Sequence, residues 1–383
     1  MIIHFIHYPV SAKRFVEPLV NAVNDAGFNA EMWLENRLEL SEFVSAISCP
    51  KRFTRFDISF NPVAIIKNII RLRRKLKRVK PAAVHCHQSR AALIPLAAAL
   101  LAKVPVRIFH NHGAPYLGYK GFKRWTFWLL EYLNCRMATN VLMVAPTIRQ
   151  KMIESKIVPE EKSQCLGNGS ICGIDLDEFK IENFSKSAQI AERRKLRITS
   201  NAFVVFYIGR PFSRKGFSTL LNAWEIFCKM QPEAEKILLI AGCDLKDIVA
   251  AKGFCPAGVM PLGYIAELAP YYAVCDVVTL PSLHEGMPYS LLEAAAASRA
   301  IVAPDIPGID SLIRNNQNGL LAEPQNPDKF ADAFNRLYTN TVLCDELAGN
   351  ARKDIEKLFD RKICTKLLID YYYNIGLKTG KSG

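Results

Sequence analysis

The sequence predicts an α/β fold: two doubly wound, parallel-sheet (Rossmann-like) domains facing a central cleft. Three observations carry this. Short apolar runs alternate with helical patterns along the whole chain, as parallel layers require. The runs fall into two series separated by a glycine-rich and then polar stretch. At 383 residues the chain exceeds one usual domain and is long enough to bury two cores.

The first series of strands is read at residues 2–6, 82–85, 106–110 and 141–144, each short, apolar and bounded by polar or helical sequence. A helix is expected over 65–80, because Ile65, Ile69, Leu72, Leu76 and Val79 recur at helical spacing. Gly167-Asn168-Gly169-Ser170-Ile171-Cys172-Gly173 then breaks the pattern, and residues 183–200 are polar with little periodicity, which reads as a linker. The second series falls at 204–208, 237–241, 277–280 and 301–303. A long helical pattern over 345–373 ends the chain. The domain expectation is 1–185, then 186–355, with 356–383 a helix crossing back to the first domain. Ligands of such sheets bind outside the strand ends.

The composition narrows the function classes. Net charge is +14, and residues 1–180 carry 26 Lys and Arg against 14 Asp and Glu, leaving 24 against 22 for the remainder. The first half therefore expects an anionic partner. The 65–80 helix has eight Lys or Arg and no acid from Lys67 onward. Tyr116 to Trp128 interleaves aromatics with Lys120, Lys123 and Arg124 in the manner of interfacial segments. An anionic membrane surface is the expected partner. Nucleic acid is not, since no zinc-finger, helix-turn-helix or RNP-type pattern is present. The longest apolar run, 91–102, is too short to cross a bilayer. Eleven cysteines without a Cys-x-x-Cys pair read as reduced thiols, and the start reads as a strand, not a leader. The expected location is cytoplasmic, peripheral on the inner face of the plasma membrane.

Two carboxylates focus the chemistry. Glu285 and Glu293 flank a helix start near Pro288, following the strand at 277–280. First-turn amides have no intrahelical acceptor and carry the positive end of the helix dipole, which suits a phosphate. The amides near Pro288 are those of Met287, Tyr289 and Ser290, with Gly286 leading into the turn. Earlier, Gly209-Arg210-Pro211-Phe212-Ser213-Arg214-Lys215-Gly216 follows a strand directly, and its cations suit a departing diphosphate.

These motifs resemble a known family. Leu280-Pro-Ser-Leu-His-Glu285-Gly-Met-Pro-Tyr-Ser-Leu-Leu-Glu293-Ala is similar to the signature of the retaining GT-B glycosyltransferases grouped as glycosyltransferase family 4, and the stretch from Gly167 to Phe179 looks most like its bacterial surface-polysaccharide members. The resemblance implies that Glu285 faces the donor hexose and that Glu293 bonds the ribose of the nucleotide. Arg210 and Lys215 match the family's Gly-Arg…Lys-Gly loop, which neutralises the donor diphosphate, and Gly263-Tyr264-Ile265 resembles the loop lining the base. His85-Cys86-His87 and Val106-Arg107-Ile108-Phe109-His110-Asn111-His112-Gly113 resemble the family's first domain, with His112 near the transferred sugar. Alternation puts each histidine pair on one strand face, so four imidazoles line the strand ends. His85, His87 and Ser11, the last in Pro9-Val10-Ser11-Ala12-Lys13, are the expected acceptor-side residues. Catalytic roles fall to Glu285 and His112.

No metal or other cofactor is expected. Asp175-Leu176-Asp177 lies in an interdomain-like stretch, not after a strand, and no Asp or Glu is evident to complete a histidine zinc site. The reading is transfer of a hexose or N-acetylhexosamine from a nucleotide sugar, expected to be a UDP-sugar, to a polyprenyl-diphosphate-linked or growing glycan. The alternatives are a catalytically silent scaffold of a polysaccharide assembly complex and a non-transferring sugar-nucleotide epimerase. Cys172, Ser298, Ala300 and Asp310 depart from the family's usual residues, touching donor fit and hinge.

Overall fold

In a computed structural model, residues 1–35, 42–56 and 61–379 are described. The chain forms two compact units, Met1–Gly173 with Arg361–Gly383, and Ile174–Asp360.

Among the described residues, the first unit holds a seven-stranded sheet, entirely parallel. Its strands are β1 (Ile2–Ile6), β2 (Ala30–Glu35), β3 (Lys51–Thr54), β4 (Ala83–His87), β5 (Val106–Asn111), β6 (Asn140–Met143) and β7 (Ser163–Cys165), in the order β3-β2-β1-β4-β5-β6-β7. The second unit holds a six-stranded parallel sheet of β8 (Phe203–Ile208), β9 (Lys236–Ala241), β10 (Val259–Pro261), β11 (Val277–Thr279), β12 (Ala300–Pro304) and β13 (Leu320–Ala322), ordered β10-β9-β8-β11-β12-β13. Each order reverses once, between β1 and β4 and between β8 and β11. Both units are doubly wound, as expected.

The central strands were legible because both faces are covered. β1 is buried at every position. β2 was not anticipated, because Glu31 and Glu35 interrupt its apolar pattern. Both carboxylates are buried with partners: Glu31 accepts from Trp33 Nε1 at 2.6 Å and Arg52 Nε at 2.9 Å, and Glu35 from the Phe56 amide at 2.6 Å. Such partners offset the desolvation that otherwise keeps acids out of a sheet.

Two expectations need correction. The presumed linker at 183–200 contains a helix, Lys186–Lys195, capped by Ser185. Its buried Arg193 donates to the Val274, Ser200 and Ala202 carbonyls and meets Asp276 Oδ2 at 2.8 Å. A polar segment is thus fixed by one guanidinium that makes four hydrogen bonds. The 345–373 pattern is also not one helix. Helix Thr341–Asp354 runs into a π-helical turn, Ile355–Phe359, and Asp360 turns extended (ψ 135°) before Arg361–Asn374 begins. The last helix belongs to the first unit, where Tyr372 packs edge-on against Phe28.

No disulfide joins any of the eleven cysteines. Among the described residues, no helix is long and apolar enough to cross a membrane.

Candidate functional site

In the second unit, β8 and β11 pair directly, with Val205 beside Val277 and Tyr207 beside Thr279. Their carboxyl ends mark the point where the strand order reverses, the usual ligand position in such sheets. Both motif loops leave from there. After β8 the chain passes Arg210, makes a 3-10 turn over Ser213–Lys215, and enters helix Phe217–Met230 through Gly216 at φ +69°. After β11 it runs through Pro281 and Glu285 to helix Tyr289–Ala296.

The two loops are stitched together by backbone. The Leu283 amide donates to the Arg214 carbonyl at 2.9 Å. A side chain at Gly216 would place Cβ 1.7 Å from the Pro281 oxygen, so only glycine permits this approach. From this frame Lys215 Nζ reaches Glu285 Oε1 at 2.5 Å, with side chains only 19% and 12% exposed. Burial pushes the Glu285 carboxyl up, but the Lys215 charge and hydrogen bond outweigh it and hold it below the ordinary carboxylate range. Gly308 supports the other side, where a Cβ would lie 2.1 Å from the Gly286 oxygen.

Arg210 is exposed, with its guanidinium 4.8 Å above the Phe212 ring, and it pairs with no carboxylate among the described residues. Lys215 already has a carboxylate partner, whereas Arg210 has none among the described residues. Pro288 stands just before the helix, extended and without a side-chain cap, and its carbonyl accepts from Leu291. Gly286 and Met287 are buried, and Tyr289 and Ser290 half-buried at the first turn. Glu293 is no solvated helix residue: it is 8% exposed, and its Oε2 accepts from Tyr272 Oη at 2.8 Å. That hydroxyl also lies 3.2 Å from the Ser290 carbonyl. Gly263, at φ +64°, follows β10 and accepts from the Gly242 amide at 2.7 Å, and Tyr264 beside it is 69% exposed. Ile265 is half-buried.

In the first unit the reversal lies between β1 and β4. There Gln88 Nε2 donates to Ser11 Oγ at 3.1 Å, bringing Ser11 to the end of β4. His85 and His87 share a face, rings stacked 4.4 Å apart. The imidazoles number five, not four, because His4 sits beside His85 in the β1–β4 register and stacks on it at 4.8 Å. His4, His85, His87 and His110 are buried, and His112 is half-buried. Tyr372 joins them from the last helix, its hydroxyl 2.6 Å from His85 Nδ1 and 3.3 Å from His4 Nε2. Burial pushes His4 and His110 down to about 3, with His110 adding repulsion at His4, and holds His85, His87 and His112 well below the usual range. The array is neutral at physiological pH.

Beside it, Glu131 is fully buried in helix Gly121–Met137. It accepts from Ser89 Oγ and, at 2.9 Å, from Asn111 Nδ2, while Asn111 Oδ1 accepts from the Gly113 amide at 2.9 Å. This carboxyl braces the segment carrying His112, and burial raises it to about 8.

Comparison with known proteins decides the class. Residues 202–340 match the family model described as Glycosyl transferases group 1, and residues 12–169 match the Glycosyl transferase 4-like domain. The chain is a GT-B glycosyltransferase. It is 23% identical over 317 residues to the capsular polysaccharide biosynthesis glycosyltransferase CapM of Staphylococcus aureus, spanning 82% of each chain. It is 26% identical over 304 residues to the UDP-Gal:alpha-D-GlcNAc-diphosphoundecaprenol alpha-1,3-galactosyltransferase of Escherichia coli, spanning 77% of this chain and 76% of that one. Among solved structures, Anabaena Alr3699/HepE in complex with UDP and glucose superposes with a TM-score of 0.79 at 18% identity, covering 97% of this chain and 99% of that one. That likeness extends through both units of the glycosyltransferase.

Sequence reasoning missed Tyr272, Glu131, His4 and Tyr372. Glu131 had a signal, a lone acid in Trp128-Leu-Leu-Glu-Tyr-Leu133, and His4 had its place in the strand alternation. Tyr372 had none, lying 287 residues from His85.

Proposed function

We propose that this glycosyltransferase is a retaining enzyme that moves a hexose or N-acetylhexosamine from a UDP-sugar to a polyprenyl-diphosphate-linked glycan in surface-polysaccharide assembly. The observation that carries this reading is the Lys215–Glu285 pair at the β8/β11 reversal, beside the start of helix Tyr289–Ala296. The arrangement supplies a fixed cation, a helix end and a hydroxyl-binding carboxylate together.

In this reading Arg210, Lys215 and the amides near Met287, Tyr289 and Ser290 hold the diphosphate. Charge accumulates on the leaving diphosphate as the glycosidic bond breaks, and these groups stabilise it where it forms, without a metal ion at the diphosphate. Glu285 accepts from the hexose hydroxyls and sets the sugar's orientation. Glu293, held by Tyr272, bonds the ribose, and Gly263, Tyr264 and Ile265 line the base. Retention follows from front-face attack, in which the departing diphosphate takes the acceptor proton. His112 contacts the sugar near its 6-position, with His85, His87 and Ser11 on the acceptor side.

The lipid-linked acceptor is supported by the printed activity of the Escherichia coli relative and by the basic first unit. Lys67, Arg71, Arg74, Lys75 and Arg78 line one groove on helix Pro62–Val79. Phe122 and Trp125 are exposed beside Lys123 and Arg124. Both suit an anionic leaflet on the cytoplasmic side, with the protein peripheral to it.

The test combines a UDP-sugar panel with a polyprenyl-diphosphate glycan, reading UDP release and the anomeric configuration of the product by NMR. Retention with loss of transfer in Glu285→Ala is expected. An inverted linkage overturns the retaining assignment, and no transfer under any pairing favours the scaffold.

A further inference from the structure

We propose that His87, His110 and His112 form a binding site for one transition-metal ion of the zinc class, with a fourth position left open. One ring nitrogen from each residue lies within 4.8 Å of the other two. His87 Nδ1 and His112 Nε2 are 3.2 Å apart. Two nitrogens each 2.0–2.1 Å from one ion, at the tetrahedral angle, would lie roughly 3.3 Å apart. The pair already stands at ligand spacing.

The surroundings fix the rings as metal centres require. His87 and His110 face each other across the β4–β5 register, and His112 follows the end of β5. The far nitrogen of His87, Nε2, contacts His4 Nδ1 at 3.1 Å, and the far nitrogen of His110, Nδ1, contacts His85 Nε2 at 3.2 Å. His4 and His85 converge in turn on the Tyr372 hydroxyl. A phenolic oxygen has lone pairs to accept from both His4 Nε2–H and His85 Nδ1–H. Each of these rings then presents a bare nitrogen, accepting from His87 Nε2–H and His110 Nδ1–H. That proton arrangement leaves His87 Nδ1 and His110 Nε2 with bare lone pairs. Hydrogen-bond partners on the far nitrogens orient histidine ligands and raise their basicity.

The donor set selects the ion. Three neutral imidazoles suit Zn²⁺, Co²⁺ or Ni²⁺ and disfavour Mg²⁺ and Ca²⁺, which take oxygen. No carboxylate is needed, which answers the objection raised from sequence. The half-buried His112 marks the side from which water or another oxygen ligand can complete the shell. The site lies wholly within the first unit.

The test uses untagged, metal-stripped protein titrated with Zn²⁺ by calorimetry and with Co²⁺ by visible absorption, without donor or acceptor. About one equivalent with the intense d–d bands of tetrahedral cobalt is expected. His112→Gln, checked for folding by circular dichroism, should weaken binding about 100-fold or more, and Tyr372→Phe about 10-fold, as loss of an outer-shell partner does. Absence of saturable binding overturns the proposal. So does unchanged affinity in His112→Gln with loss in His4→Gln, which would place the ion among His4, His85 and His87. Because no sugar is involved, this result and the transfer assay fail independently.

Discussion

Lys215 and Glu285, seventy residues apart, meet at 2.5 Å where the Arg214–Leu283 backbone bond and the close approach of Gly216 to Pro281 hold their loops together. Both charges are largely withdrawn from water. Removing one partner strands the other, a loss of roughly 3 kcal/mol when the pair is buried. We expect Lys215→Met to lower stability by about 2–3 kcal/mol in urea unfolding, with Lys215→Met/Glu285→Gln recovering part of it. Transfer should fall at least about 100-fold in either variant, measured as UDP release.

The glycine contact is tested separately. Gly216→Ala adds a Cβ that collides with the Pro281 oxygen, at a φ of +69° that alanine disfavours. The expected outcome is a loss of about 2 kcal/mol or more with impaired donor binding. Alanine at Gly253, whose Cβ would meet nothing within 4 Å, is the control, since it carries only the positive-φ strain. Equal effects at the two positions, read by thermal melts and UDP affinity, would show that the packing contact matters little.

Glu293 and Tyr272 give a specificity prediction. If Glu293 bonds the ribose, Glu293→Gln should weaken UDP binding about 10-fold and erase discrimination between UDP and 2′-deoxy-UDP. Tyr272→Phe should shift the same discrimination less, since it removes only the hydroxyl that orients the carboxylate. Calorimetric titration with both nucleotides reads the difference.

Glu131 predicts a pH dependence of definite sign. Its carboxyl rises from an ordinary 4.5 to about 8 on folding, chiefly by burial. Between those values the folded chain holds a proton that the unfolded chain has released. Its contribution to stability therefore falls as pH rises through that window. Urea midpoints at pH 6 and pH 8.5 should diverge in the wild type by more than in Glu131→Gln, which cannot ionise. Glu285 works oppositely, its lowered carboxyl contributing above the ordinary carboxylate range and losing that contribution on acidification.

Why some of this was legible in the sequence and some was not follows from range. Strands β1, β8 and β11 announce themselves because both sheet faces demand apolar residues, and the helix start after Pro288 because proline and small residues punctuate locally. β2 and helix Lys186–Lys195 were hidden by buried charges, Glu31, Glu35 and Arg193, whose partners lie elsewhere in the chain. Arg210, Lys215, Glu285 and Glu293 could be singled out from the sequence as candidates, but not the contacts that Lys215, Glu285 and Glu293 make. The Lys215–Glu285 bond and the Tyr272–Glu293 bond depend on which loops a parallel sheet brings side by side. Tyr372 reaches the histidines only because the helical pattern breaks at Asp360.

The central claim is that the second unit binds a UDP-sugar through the β8 loop and the helix after β11. Calorimetric titration of UDP into the wild type, Arg210→Ala and Glu285→Ala tests it most directly. Saturable binding is expected in the wild type, weakened about 10-fold or more by Arg210→Ala through loss of a charged diphosphate contact. Glu285→Ala should change UDP affinity less than it changes affinity for the sugar-bearing donor. Absence of UDP binding, or an Arg210→Ala affinity equal to the wild type, would contradict it.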